Sequence, residues 1–172
     1  SDGSTQLGLY YLDEPSDGIQ LMGWAPSSES IGNEIDTSGD VDGDGINDVL
    51  ITEKTATPNG SNSGATYLIF GDYLKWAYEN QEDFIPLDLL NDITYGINND
   101  KVAGLVFEGS QANDRFTDNA FFMDFDGDSQ SEVVFRHQHY QNSTWGKLTH
   151  LVNGKFLEDY SEQLPVSPLE LG

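Results

Sequence analysis

The chain has 172 residues, of which 37% are hydrophobic and 12% aromatic, and 30 acidic against 7 basic residues give a formal net charge of −23 at pH 7. This charge argues against nucleic acid or an anionic membrane surface as a partner, and no apolar run approaches the roughly 18 residues that membrane insertion requires. Cysteine is absent, which excludes disulfides and thiolate metal sites.

In chain order, short apolar runs rich in β-branched and aromatic residues alternate with Gly, Asn, Asp and Ser, a pattern typical of strands. Residues 73–96 differ, because Leu74 and Ala77 have helical spacing and Pro86 would stop a helix begun before it. We therefore predict an all-β fold with a short inserted helix and loop at 73–96. The last residues, 161–172, carry two prolines and are predicted to form an extended tail or linker.

An acidic motif occurs twice. The sequence GDVDGDGINDVLI at residues 39–51 is repeated as MDFDGDSQSEVVF at residues 123–135, and each copy continues into an apolar strand. The similarity extends on both sides of the motif, which defines two repeats at about 18–72 and 103–156. We expect both repeats to lie in a single β domain that spans residues 1–160.

The first acidic loop has the spacing of a cation site. At an effective dielectric near 20, two unit charges about 4 Å apart repel by roughly 4 kcal/mol, so the loop is either a solvated turn or holds a positive charge. Alternate oxygens on a tight turn converge on one point, and an all-oxygen set favours Ca²⁺ over Mg²⁺ or Mn²⁺ and disfavours zinc or copper. The predicted ligands are Asp40, Asp42, Asp44, the backbone carbonyl of Ile46, and Asp48.

The second acidic loop keeps the spacing with two changes. Ser129 replaces a glycine where positive φ is needed, which carries a modest penalty, and a longer glutamate replaces the last aspartate. We therefore expect a second Ca²⁺ site that binds less tightly; the alternative is a loop that makes the same turn without an ion. The predicted ligands are Asp124, Asp126, Asp128, the backbone carbonyl of Gln130, and Glu132.

The flanks of the loops separate this sequence from other calcium-binding motifs. We number the loops from their first aspartate, so that Asp40 and Asp124 are position 1. An EF-hand places helices on both sides and a bidentate Glu at loop position 12, whereas this chain has Ile51 at that position and apolar strands after the loops. Dockerin modules resemble GDVDGDGIND closely, but a helix follows there, and VLITEKTATPNG is not helical. The strand context therefore points to a different family.

The chain resembles the FG-GAP repeat, the blade of integrin α-subunit β-propellers and of many bacterial surface proteins. The resemblance rests on the acidic loops, the apolar strands after them, and the pattern Gly-x-x-Tyr-x-x-x-Gly formed by Gly64, Tyr67 and Gly71. The Gly-Ala-Pro that follows the strand in the family is missing from both copies, and Phe-Gly reads Ile-Gly in one and Phe-Thr in the other. The family implies antiparallel propeller-like blades in which Ca²⁺ fastens the turn between two strands.

Calcium loops of this kind indicate a compartment and a role. Extracellular modules bind Ca²⁺ with dissociation constants of about 0.1–1 mM, so cytosolic calcium would leave the sites empty. We therefore expect an extracellular, secreted or cell-surface protein that functions in adhesion, ligand binding or assembly, with a protein or glycan ligand and no catalysis. The alternative is a fragment of a carbohydrate-active enzyme, a polysaccharide lyase or hydrolase, because some lyases carry similar propellers.

The number of blades leaves the assembly open. A propeller closes with about four to eight blades, whereas this sequence holds two, plus a stray strand-like segment, LGLYYLD, at residues 7–13. The chain is part of a longer protein, pairs with copies of itself or with other blades, or embeds its blades in another β fold. A further candidate site is His137 with His139, which share one face of a strand, although two surface or edge histidines are the simpler interpretation.

Overall fold

A computed structural model describes residues 18–24, 31–96, 101–117, 119–141, 144–162 and 169–170. The predicted segment at 7–13 and most of the tail lie outside these residues. The strands are β1 (Gln20–Met22), β2 (Ile31–Asp36), β3 (Val49–Glu53), β4 (Ala65–Ile69), β5 (Phe84–Pro86), β6 (Thr94–Tyr95), β7 (Lys101–Val102), β8 (Gly104–Glu108), β9 (Asn119–Met123), β10 (Glu132–Gln141), β11 (Thr144–Val152) and β12 (Leu169–Glu170). The helices are α1 (Gly71–Glu79), α2 (Gly154–Ser161) and a short 3-10 helix at Leu87–Leu89.

The prediction of a mostly β fold is confirmed, but the prediction of a single helix was wrong. The second helix, α2, begins after Asn153, whose side chain accepts a hydrogen bond from the N–H of Phe156 at 3.2 Å. An Asn at this position is a favoured helix N-cap, and the sequence carried that signal. Periodicity gave little sign of α2 because the helix has eight residues and its buried side chain is Leu157.

Two sheets contain the two acidic units. The first sheet has the order β12-β8-β4-β3-β2, and the second has the order β11-β10-β9. In each unit three consecutive strands pair antiparallel, with Leu50 opposite Leu68 in the first and Val134 opposite Leu151 in the second. A helix follows directly in both cases, so α1 belongs to the repeating unit and is not an insertion. Neither sheet closes on itself within the described residues.

The two sheets pack face to face around a core of aromatic rings. The ring of Phe107 on β8 lies 4.6 Å from that of Phe135 on β10, measured between centroids. Gly39 leaves space for Phe122, since a Cβ there would lie 2.3 Å from the ring. The N–H of Phe122 also donates to Asp36 across the sheets at 2.8 Å. Burial of these rings stabilises the contact between the two sheets.

The other face of the first sheet is also buried. Glu53 and Tyr67 lie on that face, and the carboxylate of Glu53 accepts hydrogen bonds from the Tyr67 hydroxyl at 2.7 Å and from the N–H of Trp24 at 2.9 Å. Asn91, after the 3-10 helix, accepts from the N–H of Val106 on β8 at 3.0 Å. No helix among the described residues is long and apolar enough to cross a membrane.

Candidate metal centre

The first acidic loop connects β2 to β3 and is held by its first aspartate. The two carboxylate oxygens of Asp40 accept hydrogen bonds from the N–H groups of Gly43 at 2.8 Å and Gly45 at 2.9 Å. Both glycines have positive φ, 73° and 86°. This conformation suits glycine because it has no Cβ, so the predicted role of the two glycines follows from the backbone.

The second loop has the same backbone path. The carboxylate of Asp124 accepts from the N–H groups of Gly127 at 2.7 Å and Ser129 at 3.2 Å. Ser129 has a φ of 75°, the conformation predicted for it in place of glycine. At loop position 7, Ile46 and Gln130 donate their N–H groups to the acids two residues before them, at 2.7 and 2.8 Å. The second loop therefore preserves the turn despite its changed residues.

The acid at loop position 9 connects each loop to the helix of its own repeat. Asp48 is fully buried and accepts from the N–H groups of Val41 at 2.7 Å and of Gly71, the first residue of α1, at 2.9 Å. Glu132 is also fully buried and accepts from the N–H of Phe125 at 3.0 Å. The side-chain amide of Asn153, the N-cap of α2, donates to the other carboxylate oxygen of Glu132 at 3.4 Å. The longer glutamate thus takes the position of the aspartate.

The fold brings together three acids of each loop. Within each group, one carboxylate oxygen per residue lies within 4.8 Å of the others. Asp44 instead groups with Asp42 and Asp72, and Asp128 joins no such group among the described acids. The two groups at the loop centres are Asp40, Asp42 and Asp48, and Asp124, Asp126 and Glu132.

The two loops lie side by side. The N–H of Ser131 donates to the backbone carbonyl of Asp40 at 2.7 Å, and the Ser131 hydroxyl accepts from the N–H of Asp40 at 3.1 Å. The side chain of Gln130 also lies against Gly43, about 3.2 Å from where a Cβ would stand. The predicted sites therefore share a boundary, which could not be read from residues separated by 91 positions.

The first loop is electrostatically unfavourable without a cation. Burial raises the pKa of Asp48 to about 7. Burial, followed by repulsion from Asp44, raises the pKa of Asp42 to about 6. The donor atoms are all hard oxygens, which fit Ca²⁺, and a divalent ion would offset both the desolvation and the mutual repulsion.

Asp72, in the first turn of α1, is an acid that the sequence analysis missed. The Tyr95 hydroxyl and the Lys101 ammonium both donate to its carboxylate, and this interaction raises the pKa of Lys101. Asp42 and Asp44 line a cavity of about 260 Å³ with Tyr95 and Lys101. The available signal was an acid immediately after the strand that ends the repeat.

His137 contacts a histidine that the sequence analysis did not single out. His137 is buried, so its interpretation as a surface or edge residue was wrong. Its Nε2 lies 2.9 Å from Nε2 of His150 on β11, and the rings stack at an interplanar angle of 19°. The side chain of His139 lies outside the described part of the chain.

The architecture defines a protein built from loop–strand–strand–helix units, each with an acidic turn, that pack sheet against sheet. Residues 33–69, from β2 to β4 and including the first loop, match the family model for the FG-GAP repeat. This segment is therefore an FG-GAP repeat, a unit of β-propeller-type modules, and the suspected resemblance is confirmed. A search of curated proteins found no match.

Proposed function

We propose that the chain is an extracellular β module that binds Ca²⁺ in its two acidic loops and functions in adhesion, ligand binding or assembly. The duplicated loop geometry carries this proposal: matching hydrogen bonds hold two turns in which three acids converge. The residues that would hold the ions are those of the two groups, with Asp44, Asp128 and the carbonyls of Ile46 and Gln130 as the remaining predicted ligands.

The ions would act on the fold through the contact between the loops. Asp40 and Ser131 hydrogen-bond across the boundary between the repeats, so fastening either turn also fixes its neighbour. At about 1 mM Ca²⁺ and a dissociation constant of about 0.1 mM, ion binding would raise the free energy of unfolding by roughly 1.4 kcal/mol per site. Such a contribution is available outside cells and not at cytosolic calcium levels, which supports the extracellular assignment.

Calcium binding can be tested by calorimetric titration together with thermal melting in Ca²⁺ and in EGTA. We expect binding and a higher melting temperature in Ca²⁺, with most of the gain lost in Asp42→Ala and a smaller part in Asp126→Ala. Asp92→Ala, an exposed acid after the 3-10 helix, is the matched control and should behave as the parent. Equal melting temperatures in Ca²⁺ and EGTA would refute the calcium proposal.

The binding role needs a separate measurement. We expect the calcium-loaded protein to bind a glycan or a protein surface without changing it chemically, which a glycan array and product analysis can determine. Release of oligosaccharide product from a polysaccharide would contradict a purely binding role and favour the carbohydrate-active enzyme.

A further inference from the structure

The contact between the two repeats shows which sheet faces this fold uses for packing. In the first sheet, Leu50 and Leu68 are cross-strand neighbours on the face that contacts the second sheet, and both are fully or almost fully buried. Phe107 lies on the same face and meets Phe135 of the second sheet. A row of apolar side chains across the strands is therefore the surface that the first sheet offers to the second.

In the second sheet, the equivalent row of apolar side chains is partly exposed among the described residues. Val134, which corresponds to Leu50 in the repeat, lies between Phe121 on β9 and Leu151 on β11. Phe121 is 40% exposed and Leu151 50% exposed, and Met123 beside them is 42% exposed. We call these four residues the open face. Val134 at the centre is only 6% exposed, so the exposed apolar area belongs to the three side chains around it. Neighbouring exposed apolar side chains on one sheet mark an interaction surface.

The opposite end of the molecule is closed. The outer face of the first sheet, which contains Glu53 and Tyr67, is buried, since neither side chain has exposed surface and Glu53 accepts a hydrogen bond from the N–H of Trp24. A second molecule therefore cannot add head to tail by placing its first sheet on the open face. Among the described sheet faces, the open face is the apolar one that remains accessible. The open face of one copy can therefore pack on the open face of another.

The charges around the open face are self-complementary. Arg136 and Lys147, both exposed, lie toward one end of the strands, and Asp124 and Asp126 lie in the loop at the other end. A two-fold axis along the row Phe121–Val134–Leu151 reverses the strand direction between two copies. The basic end of each copy then faces the acidic end of the other, while the apolar row packs on itself.

We propose that two copies of this chain associate through the open face as a closed, two-fold symmetric dimer. The interface continues the packing seen between the repeats, with the second sheet of one copy on the second sheet of the other. Because the other end of each copy is covered, assembly stops at two and does not form filaments.

Sedimentation velocity over a concentration series, from micromolar to hundreds of micromolar, tests the dimer with the full chain. We expect a species of twice the 19.0 kDa monomer mass to form as the concentration rises. Phe121→Ser should raise the dimer dissociation constant about tenfold or more, because each dimer loses two buried rings. Phe84→Ser, at a similarly exposed phenylalanine on β5, is the matched control and should leave it unchanged.

Crosslinking provides a test that does not depend on a disruptive substitution. The chain has no cysteine, so Leu151→Cys introduces a single thiol near the proposed axis. A short bismaleimide that spans the ~10 Å between packed sheets should join two copies. Leu148→Cys, on the same strand but the opposite face, should not crosslink. A monomer at all concentrations, higher oligomers, equal loss of the dimer in Phe84→Ser, or equal crosslinking from both cysteines would overturn the proposal.

Discussion

Asp48 receives a hydrogen bond from the backbone N–H of Gly71, and this bond joins the end of the first acidic loop to the start of α1. The other oxygen of Asp48 accepts from Val41 at the start of the same loop. One buried carboxylate therefore connects the loop, the strand that follows it and the helix.

Replacing Asp48 should destabilise the protein even at saturating Ca²⁺. Asp48→Ala leaves the N–H groups of Val41 and Gly71 without their acceptor in a buried site, which costs about 2–4 kcal/mol of unfolding free energy. Urea denaturation measures this loss, with the exposed Asp83→Ala as the control. Equal stabilities for the two variants would show that the connection is dispensable.

Adding a methyl group to Gly71 should separate the helix from the loop. A Cβ at Gly71 would lie 2.3 Å from the carbonyl oxygen of Asn47. Gly154 is the equivalent residue of α2, and a Cβ there would lie 2.6 Å from the carbonyl oxygen of Ser131. We expect Gly71→Ala and Gly154→Ala each to lower the unfolding free energy by about 2–3 kcal/mol.

The control for these glycines is Gly127→Ala. Gly127 has open space around its would-be Cβ but a φ of 80°, so the substitution adds backbone strain without a collision. Its cost should be about 1 kcal/mol. A larger loss at Gly127 than at Gly71 in chemical denaturation would contradict the steric argument.

Glycine at position 129 should stabilise the protein. Ser129 has a φ of 75°, which glycine adopts without a steric penalty, so Ser129→Gly should raise the unfolding free energy by about 0.5–1 kcal/mol. We also expect tighter Ca²⁺ binding at the second loop by calorimetry. Ser61→Gly, an exposed serine with no positive φ, should instead be neutral or slightly destabilising. The same sign of effect in both variants would contradict the argument.

Asp72 should contribute to the calcium affinity of the first loop alone. Its carboxylate lies with those of Asp42 and Asp44, so Asp72→Asn removes a negative charge beside that site. We expect the dissociation constant of the first site to rise a few-fold, as expected for a charge pair in a partly exposed setting, and the second to stay unchanged. Calorimetry on this variant in an Asp126→Ala background isolates the first site, and an unchanged constant would exclude Asp72 from it.

The calcium-free protein should become more stable as the pH falls. Burial raises the pKa of Asp42 to about 6 and that of Asp48 to about 7, above the value near 3.9 expected in the unfolded chain. Because the folded state then binds protons more tightly, the ionisation penalty is present above about pH 7 and disappears as the pH falls through both values. In EGTA, the melting temperature should therefore rise between about pH 8 and pH 5.

Calcium should weaken this dependence, because protons and Ca²⁺ compete for the same oxygens. The melting-temperature difference between Ca²⁺ and EGTA should shrink over the same pH interval. Asp48→Asn, which cannot ionise, should flatten the dependence in EGTA. A calcium-free melting temperature that falls steadily with pH in the parent protein would contradict this assignment.

The acidic loops were predictable in detail because their geometry is local. The hydrogen bonds that Asp40 accepts from Gly43 and Gly45 span five residues or fewer, and the positive φ of Ser129 followed from its place in the repeated pattern. Helix α2 was missed because eight residues with one buried leucine carry little periodic signal. The helix α1 was predicted to be an insertion. Its equivalence to α2 is visible only in the structure, where each helix follows the third strand of its unit.

The sequence by itself determined the strands, the two acidic turns and the FG-GAP character of residues 33–69, because strand alternation and ligand spacing are encoded within short windows. Tertiary structure decided that Asp40 meets Ser131, that Asp72 joins the first site, and that one sheet face stays open. These relationships join residues far apart in the chain. They arise from burying rings such as Phe107 against Phe135, which no local pattern specifies.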